Sequence, residues 1–255
     1  MVYDSLEKRL WMAYGSWHTG IYIVELDTAT GGIKTEGDRG KRIARRQTTG
    51  YGLEGPELIY RNGWYYLFVS YDPLGVKYNV RVGRSKNPDG PYYDFNGIDM
   101  AAASSNIPMI ETAYQFNDHG GWQGTAHCAV INDSGSFYIF NQGRPSIEPG
   151  LFTLHVRKIF WIDDWPVVSP ERYAGVPKCA LSADSFVGTW EHLNLIYKTT
   201  GNYISRSEYL TISGDGTFND NHANIWTFNG DTLCIKLEQW RCPEINCFLG
   251  MGLGI

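Results

Sequence analysis

No Cys-x-x-Cys pair occurs in this chain, and its five cysteines (Cys128, Cys179, Cys234, Cys242, Cys247) are an odd number. Zinc-finger and thioredoxin-like readings therefore fail. Cys242 and Cys247 are close enough to pair in an oxidising compartment, and free thiols account for them equally well. No apolar run approaches the ~20 residues of a membrane span. The N-terminal MVYDSLEKRLWMAYG carries charges where a signal peptide has an apolar core. Excess positive charge is missing as well. A net charge of −5 leaves no electrostatic footprint for nucleic acid or an anionic membrane. Long helical periodicity is absent too.

Aromatic side chains are abundant: 15% of the 255 residues, with 9 Trp and 17 Tyr, alongside 29 Gly and 11 Pro. That composition predicts an all-β chain with many tight turns. Flat apolar faces of sugars stack on Trp and Tyr, so a mildly acidic, aromatic-rich β protein leans towards carbohydrate.

The stretch YGLEGPELIYRNGWYYLFVSYDPLG, residues 51–75, places one carboxylate, Glu54, between Gly52-Leu53 and Gly55-Pro56. Pro56 has no N–H and a fixed φ, which predicts Glu54 in a defined turn ahead of a hairpin. Glu57 to Tyr60 reads as one strand, Arg61-Asn62-Gly63 as a turn and Trp64 to Ser70 as the next strand. An acid between small residues and an aromatic wall is poorly solvated, which raises its pKa and suits proton donation near neutral pH. A surface turn cap is the plainer role for the same residue.

Three segments repeat one design, a polar turn followed by an aromatic-rich strand and a second alternating strand. They are RLWMAYGSW with GIYIVEL, WYYLFVS with NVRVGRS, and SFYIFNQ with LFTLHVRKIFW. Their equivalent points Leu10, Trp64 and Phe137 lie 54 and 73 residues apart. Sheets repeating at roughly 40–50 residues or more mark a β-propeller. Propellers close with about 4–8 blades, so three units predict further blades on a missing N-terminal half or on another chain. A β-sandwich with repetitive hairpins is the alternative. After the glycine-rich GGWQG, His127 reads as the opening of a strand, its imidazole directed into a central channel to hold a metal or a proton. The Pro177 region reads as a linker. Beyond it, short strands between GDG and NGD turns read as a separate small antiparallel module. The expected domains are 1–176 and 177–255, and the abrupt apolar ending CFLGMGLGI reads as a truncation.

LWMAYGSWHTGIYIVELDTATG, GLEGPELIYRNGWYYLFVSYD, YNVRVGRSKNPDGPYYD, GWQGTAHCAV and FWIDDWPVVSPERYAG together resemble the arabinanases of glycoside hydrolase family forty-three. The likeness runs from about Leu10 to Gly175, and the remainder resembles the small C-terminal β-domain of some endo-arabinanases. The resemblance implies part of a five-bladed β-propeller followed by a small β-barrel or sandwich module. It implies inverting hydrolysis of α-1,5-arabinan by three carboxylates. Glu54 matches the general acid of an E-[GA]-P motif, and His127 matches the histidine at a calcium ion, bound directly or through water. Ser16 and Trp17 match a Y-G-S-[FW] stretch lining the cleft, and Tyr78 matches a tyrosine near the arabinose subsite.

The departures matter as much. The family's general base belongs to a first blade not found here. Its pKa-tuning Asp sits in an I-D-P turn just ahead of the strand equivalent to RLWMAYGS, whereas Asp4 aligns with the turn after that motif. The family's G-H-N is Ala126-His127-Cys128 here. Inversion needs an acid and a base carboxylate roughly 6.5–9.5 Å apart, so the isolated chain is expected to be inactive or nearly so. A carbohydrate-binding remnant, or half of a two-chain enzyme completed by a second chain, are the competing readings. The full-length enzyme is expected to be secreted or periplasmic.

Overall fold

The structure, a computed structural model, describes residues 1–46, 52–102, 107–175, 180–195, 203–230 and 232–236. Its regular elements are strands, apart from 3-10 turns at Met100–Ala102 and Ala183–Phe186. Branched and aromatic residues alternate with polar ones, and Gly, Asn and Asp punctuate the runs, so strands are the element these segments favour.

The first sheet orders β1 (Val2–Asp4), β2 (Arg9–Ser16), β3 (Gly20–Leu26) and β4 (Lys41–Ala44). The second orders β5 (Leu53–Arg61), β6 (Trp64–Tyr71), β7 (Asn79–Ser85) and β8 (Met109–Glu111). In the third, β9 (Tyr114–Gln115), β10 (Trp122–Asp133), β11 (Ser136–Pro145), β12 (Thr153–Ile162) and β13 (Trp165–Val168) lie side by side. Each sheet is an antiparallel meander, the form of a propeller blade. The three sequence units are the central strand pairs β2–β3, β6–β7 and β11–β12.

Asn62 and Gly63, at φ of 50° and 77°, close the β5–β6 hairpin. Two successive positive φ values give the turn whose twist matches its strands. One apolar core joins the first and second sheets through Ile21, Ile23, Leu58 and Leu67. A second joins the second and third through Tyr66, Phe68, Ala126, Cys128 and Ile139. The β12–β13 turn is clamped to the second sheet: Arg61 pairs with Asp164 at 2.8 Å, and Arg84 Nη1 donates to the Asp163 and Asp164 carbonyls.

Residues after 180 form β14 (Gly188–His192), β15 (Ser205–Arg206), β16 (Glu208–Ile212), β17 (Thr217–Phe218), β18 (Asn221–Phe228) and β19 (Leu233–Lys236). Five of them make an antiparallel sheet over Phe186, Leu210, Ile212, Phe218, Trp226 and Leu233. The expected module is there, with one difference. β15 leaves it and pairs in parallel with β9 of the third sheet. The Asn117 N–H is shared between Glu191 Oε2 and Ser207 Oγ, at 2.8 and 3.0 Å, which fastens this junction. Sequence periodicity cannot register a two-residue strand. The Pro177 linker, the Cys242–Cys247 pairing and the CFLGMGLGI ending all lie outside the described residues.

A buried polar cluster under the third sheet sets a pH response. Arg157 Nε lies 3.4 Å from Glu111 Oε1, which also accepts from Asn141 Nδ2 at 2.8 Å. Arg157 Nη2 donates to Tyr114 Oη at 2.8 Å and lies 3.3 Å from His155 Nδ1. Burial pushes the Glu111 carboxyl up to about 7 against the pull of Arg157. Burial, with Arg157 and Arg172 beside it, holds His155 down at about 3. His155 contributes stability above its ordinary 6.5 and loses it as pH falls towards 3. Glu111 contributes stability below its ordinary 4.5 and loses it as pH rises towards 7. Between pH 4.5 and 6.5 the two slopes oppose each other. Each pH unit carries about 1.4 kcal/mol per group, so the joint contribution of these two groups is expected to be level across that window and to fall by roughly 2 kcal/mol from its lower edge to pH 3. Urea midpoints of the parent and of Glu111→Gln across pH 3–8 check this: the variant should gain stability relative to the parent as pH rises from 4.5 towards 7. A difference between the two that does not change with pH would contradict it.

Candidate active site

Along β5, Glu54 stands opposite Ser70 of β6 but Glu57 stands opposite Phe68, so three steps on one strand span two on the other. This is a β-bulge, with Gly55 at φ +57° as its left-handed residue. Pro56 fits here because the interrupted ladder asks no N–H of it. Glu54 therefore lies within a strand at a bulge, not in a turn preceding one. The expectation failed because Gly-Pro marks both, and a bulge differs from a turn by a single residue of register.

The half-buried Glu54 carboxylate is held by both oxygens. Tyr78 Oη donates to Oε1 at 2.7 Å, and Trp17 Nε1 donates to Oε2 at 3.0 Å. The aromatic side chains beside it thus meet it through their polar atoms. Tyr78 is fully buried immediately before β7, and burial together with the Glu54 carboxylate pushes its phenol up.

Tyr78 Oη also lies 3.1 Å from His127 Nδ1. A tyrosine has one hydroxyl hydrogen. With that hydrogen on Glu54, the contact to His127 Nδ1 is the second that the Tyr78 oxygen makes. His127 does not open β10. It sits in mid-strand at φ +57°, inside the second of two register shifts, between Ala126 and Ala129. Ser70 Oγ accepts the His127 N–H at 2.8 Å and fixes this second bulge. Ser70 is thus the ladder partner of Glu54 and the anchor of His127. Sequence reasoning missed it, although a serine interrupting the buried run WYYLFVSY was the available signal.

Of the five predicted site residues, Trp17, Glu54, Tyr78 and His127 come together in one hydrogen-bonded set. Ser16 lies at the exposed end of β2, next to Trp17 in the chain. Gly52 explains where Trp17 lies. A Cβ on Gly52 would come within 2.4–2.8 Å of three indole ring atoms, so the indole rests on bare backbone. Gly52→Ala is expected to push the indole away and break its bond to Glu54. The Trp17 indole N–H resonance, assigned by its loss in Trp17→Phe, should then move as it does in Glu54→Ala, where the acceptor is gone. A resonance left at the parent's position would overturn this. Overpacking costs about 1–3 kcal/mol, and the half-exposed Trp17 can relieve part of it.

Calcium takes about 6–8 oxygen ligands. Among the described residues no group of three His, Cys, Asp or Glu side chains could hold a metal. His127 offers one nitrogen, a softer donor than calcium favours. These residues do not by themselves make a calcium cage. The buried carboxylates Asp4, Asp72, Asp94 and Glu111 are engaged elsewhere, Asp94 Oδ1 accepting the N–H groups of Asn96 and Ile98. Asp4 Oδ1 accepts the N–H groups of Leu6 and Glu7 in the β1–β2 turn. Asp72 pairs with Arg46 and Arg81, and Glu111 with Arg157.

Comparison with known proteins places this geometry. Residues 170–244 match a C-terminal lipocalin-like domain. An extracellular endo-alpha-(1->5)-L-arabinanase of Thermotoga petrophila is 29% identical, over 95% of this chain and 58% of its own length. An extracellular endo-alpha-(1->5)-L-arabinanase 2 of Bacillus subtilis is 30% identical, over 92% of this chain and 57% of its own. The chain therefore spans less than two thirds of these relatives. The crystal structure of endo-1,5-alpha-L-arabinanase from Thermotoga petrophila superposes with a TM-score of 0.81 at 30% identity, covering 92% of this chain and 55% of that one. A glycoside hydrolase family 43 protein from Bacillus licheniformis gives 0.82 at 26% identity, over 93% and 58%. With residues 2–166 matching Glycosyl hydrolases family 43, the chain belongs to that family.

Proposed function

We propose that this chain takes part in inverting hydrolysis of α-1,5-linked arabinan, with Glu54 as general acid. The observation that carries the reading is the grip on Glu54: Tyr78 on one oxygen and Trp17 on the other, at a bulge in β5. Two fixed partners aim a carboxyl group more narrowly than a surface turn would. The relatives named as arabinanases support the substrate class.

The chemistry then runs as follows. Glu54 passes its proton to the glycosidic oxygen as the bond to the anomeric carbon breaks. Water attacks the opposite face and gives up a proton to a base carboxylate roughly 6.5–9.5 Å from the acid. Trp17 can only donate, whereas Tyr78 can donate or accept, so a protonated Glu54 keeps its hydrogen-bonded position through Tyr78. Ser16, beside Trp17, is assigned to the wall of the same cleft.

Because Asp4, Asp72, Asp94 and Glu111 are held in other bonds, none of them is assigned the base. The chain acts as the acid-bearing part of the machinery, and by itself turns arabinan over slowly or not at all. A calcium ion beside His127 belongs to this reading only as an ion held largely through its water shell. No helix among the described residues is long and apolar enough to cross a membrane. We assign the enzyme to the outside of the cell, in keeping with the extracellular relatives.

The test is binding and hydrolysis of debranched arabinan by the 255-residue chain, with xylan as control. Arabinan binding with little hydrolysis supports the reading. No preference for arabinan over xylan would sink it.

A further inference from the structure

Two side chains at the end of the molecule that carries Glu54 have no part in holding Glu54. β5 and β10 run side by side in one direction. Gly55 lies against the ring of His127, and the Glu57 carboxylate accepts the N–H of Val130. The start of β10, the end of β11 and the β11–β12 connection therefore share the end of the propeller where Glu54 lies. There the guanidinium of Arg144 stacks 4.1 Å from the ring centroid of Phe152.

Arg144 is half-buried, yet no carboxylate or other hydrogen-bonding partner accompanies it among the described residues, and its Nε is buried without one. Phe152 stands 55% exposed, with Leu151 and Leu154 exposed beside it. A cation withdrawn from water without a counter-charge or acceptor is costly, and a phenyl ring left in water gains nothing. Both shortfalls end when one ligand brings hydroxyl acceptors and an apolar face together.

The pair is joined to the acid site. A Cβ on Gly124 would lie 3.0 Å from the Gly75 carbonyl and 3.5 Å from Arg144 Nε. The N–H of Tyr78, whose hydroxyl holds Glu54, is donated to that Gly75 carbonyl at 3.4 Å. One loop thus separates Arg144 from the acid's own partner.

We propose that Arg144 and Phe152 form a distal subsite for an arabinofuranosyl chain whose cleaved bond lies at Glu54. Phe152 takes the C–H face of one ring, and Arg144 donates to its hydroxyls and ring oxygen. An anionic ligand would satisfy Arg144 alone. A neutral sugar satisfies both residues and continues the chain from the acid. This subsite rests on the arabinan reading given under Proposed function.

Calorimetric titration of the 255-residue chain with arabinobiose and arabinohexaose tests it, in the parent, Arg144→Ala and Phe152→Ala. Each substitution should weaken arabinohexaose binding about 10-fold, leave arabinobiose binding unchanged and keep the parent's melting temperature. Unchanged arabinohexaose affinity in both variants overturns the subsite alone, and so does an equal loss for both sugars. A parent that binds neither sugar overturns the subsite together with the arabinan reading.

Discussion

Replacing Glu54 by Gln is expected to leave arabinan binding intact and to slow its hydrolysis by about 10²–10⁴-fold, measured against the parent's own rate, however low. The amide has the shape of the carboxyl group. Its oxygen can accept from Trp17 Nε1 and its nitrogen can donate to Tyr78 Oη, so the local packing survives. Only the dissociable proton is gone. The leaving group in arabinan is a sugar alkoxide, which departs slowly unless protonated. An aryl arabinofuranoside with an acidic phenol leaves without help, so its hydrolysis should fall by less than about 10-fold. That contrast between substrates is the signature of a general acid. Equal losses on both would show that Glu54 shapes the site without donating a proton, and an unchanged rate on arabinan in a parent that turns it over measurably would remove Glu54 from the chemistry.

How much of this was legible beforehand depends on the range of the interaction. GIYIVEL and NVRVGRS became β3 and β7 with the bounds expected of them, because period-two alternation and flanking turns are local signals. The β5–β6 hairpin followed from Asn62-Gly63 for the same reason. Residues alone singled out Glu54 and His127. Trp17, Ser16 and Tyr78 rested on family resemblance. Spacing could not reveal that Trp17, Glu54, Tyr78 and His127 meet, since they sit on separate strands or loops of three sheets. The bulges at Gly55 and His127 escaped for a different reason. A bulge is defined by what stands opposite on the neighbouring strand, and Glu54 faces Ser70 while Glu57 faces Phe68 only once β6 is in place. The pairing of β15 with β9 is likewise a product of tertiary structure: two residues have no periodicity to read.

The second large effect lies directly behind the acid. Asp72 Oδ1 is 2.5 Å from Arg46 Nη1, and its Oδ2 is 3.5 Å from Arg81 Nη2 and accepts from Asn79 Nδ2 at 2.7 Å. Arg81 is fully buried, and burial pulls its guanidinium down to about 10. Both cations flank the face of Tyr71, 5.4 and 4.8 Å from its centroid. One carboxylate thus serves two guanidinium groups beside one aromatic ring. Removing one partner of a buried ion pair costs about 3–5 kcal/mol, because the remaining charge stays out of water. Asp72→Ala should lower stability by that much, plus roughly 1–2 kcal/mol for alanine at the native φ of +71°. Asp72→Asn isolates the charge, since asparagine tolerates that backbone and can still meet its neighbours. It should still lose about 2–3 kcal/mol in urea unfolding, part of the pair's cost being recovered by its amide. An Asn variant within about 0.5 kcal/mol of the parent would mean that the cations are balanced without Asp72. The Asp72 N–H also donates to the Gly52 carbonyl at 3.2 Å, and Gly52 is the backbone on which the Trp17 indole rests. The charge cluster and the grip on Glu54 therefore share one segment of chain, and the alanine variant should weaken arabinan binding even at temperatures where it remains folded.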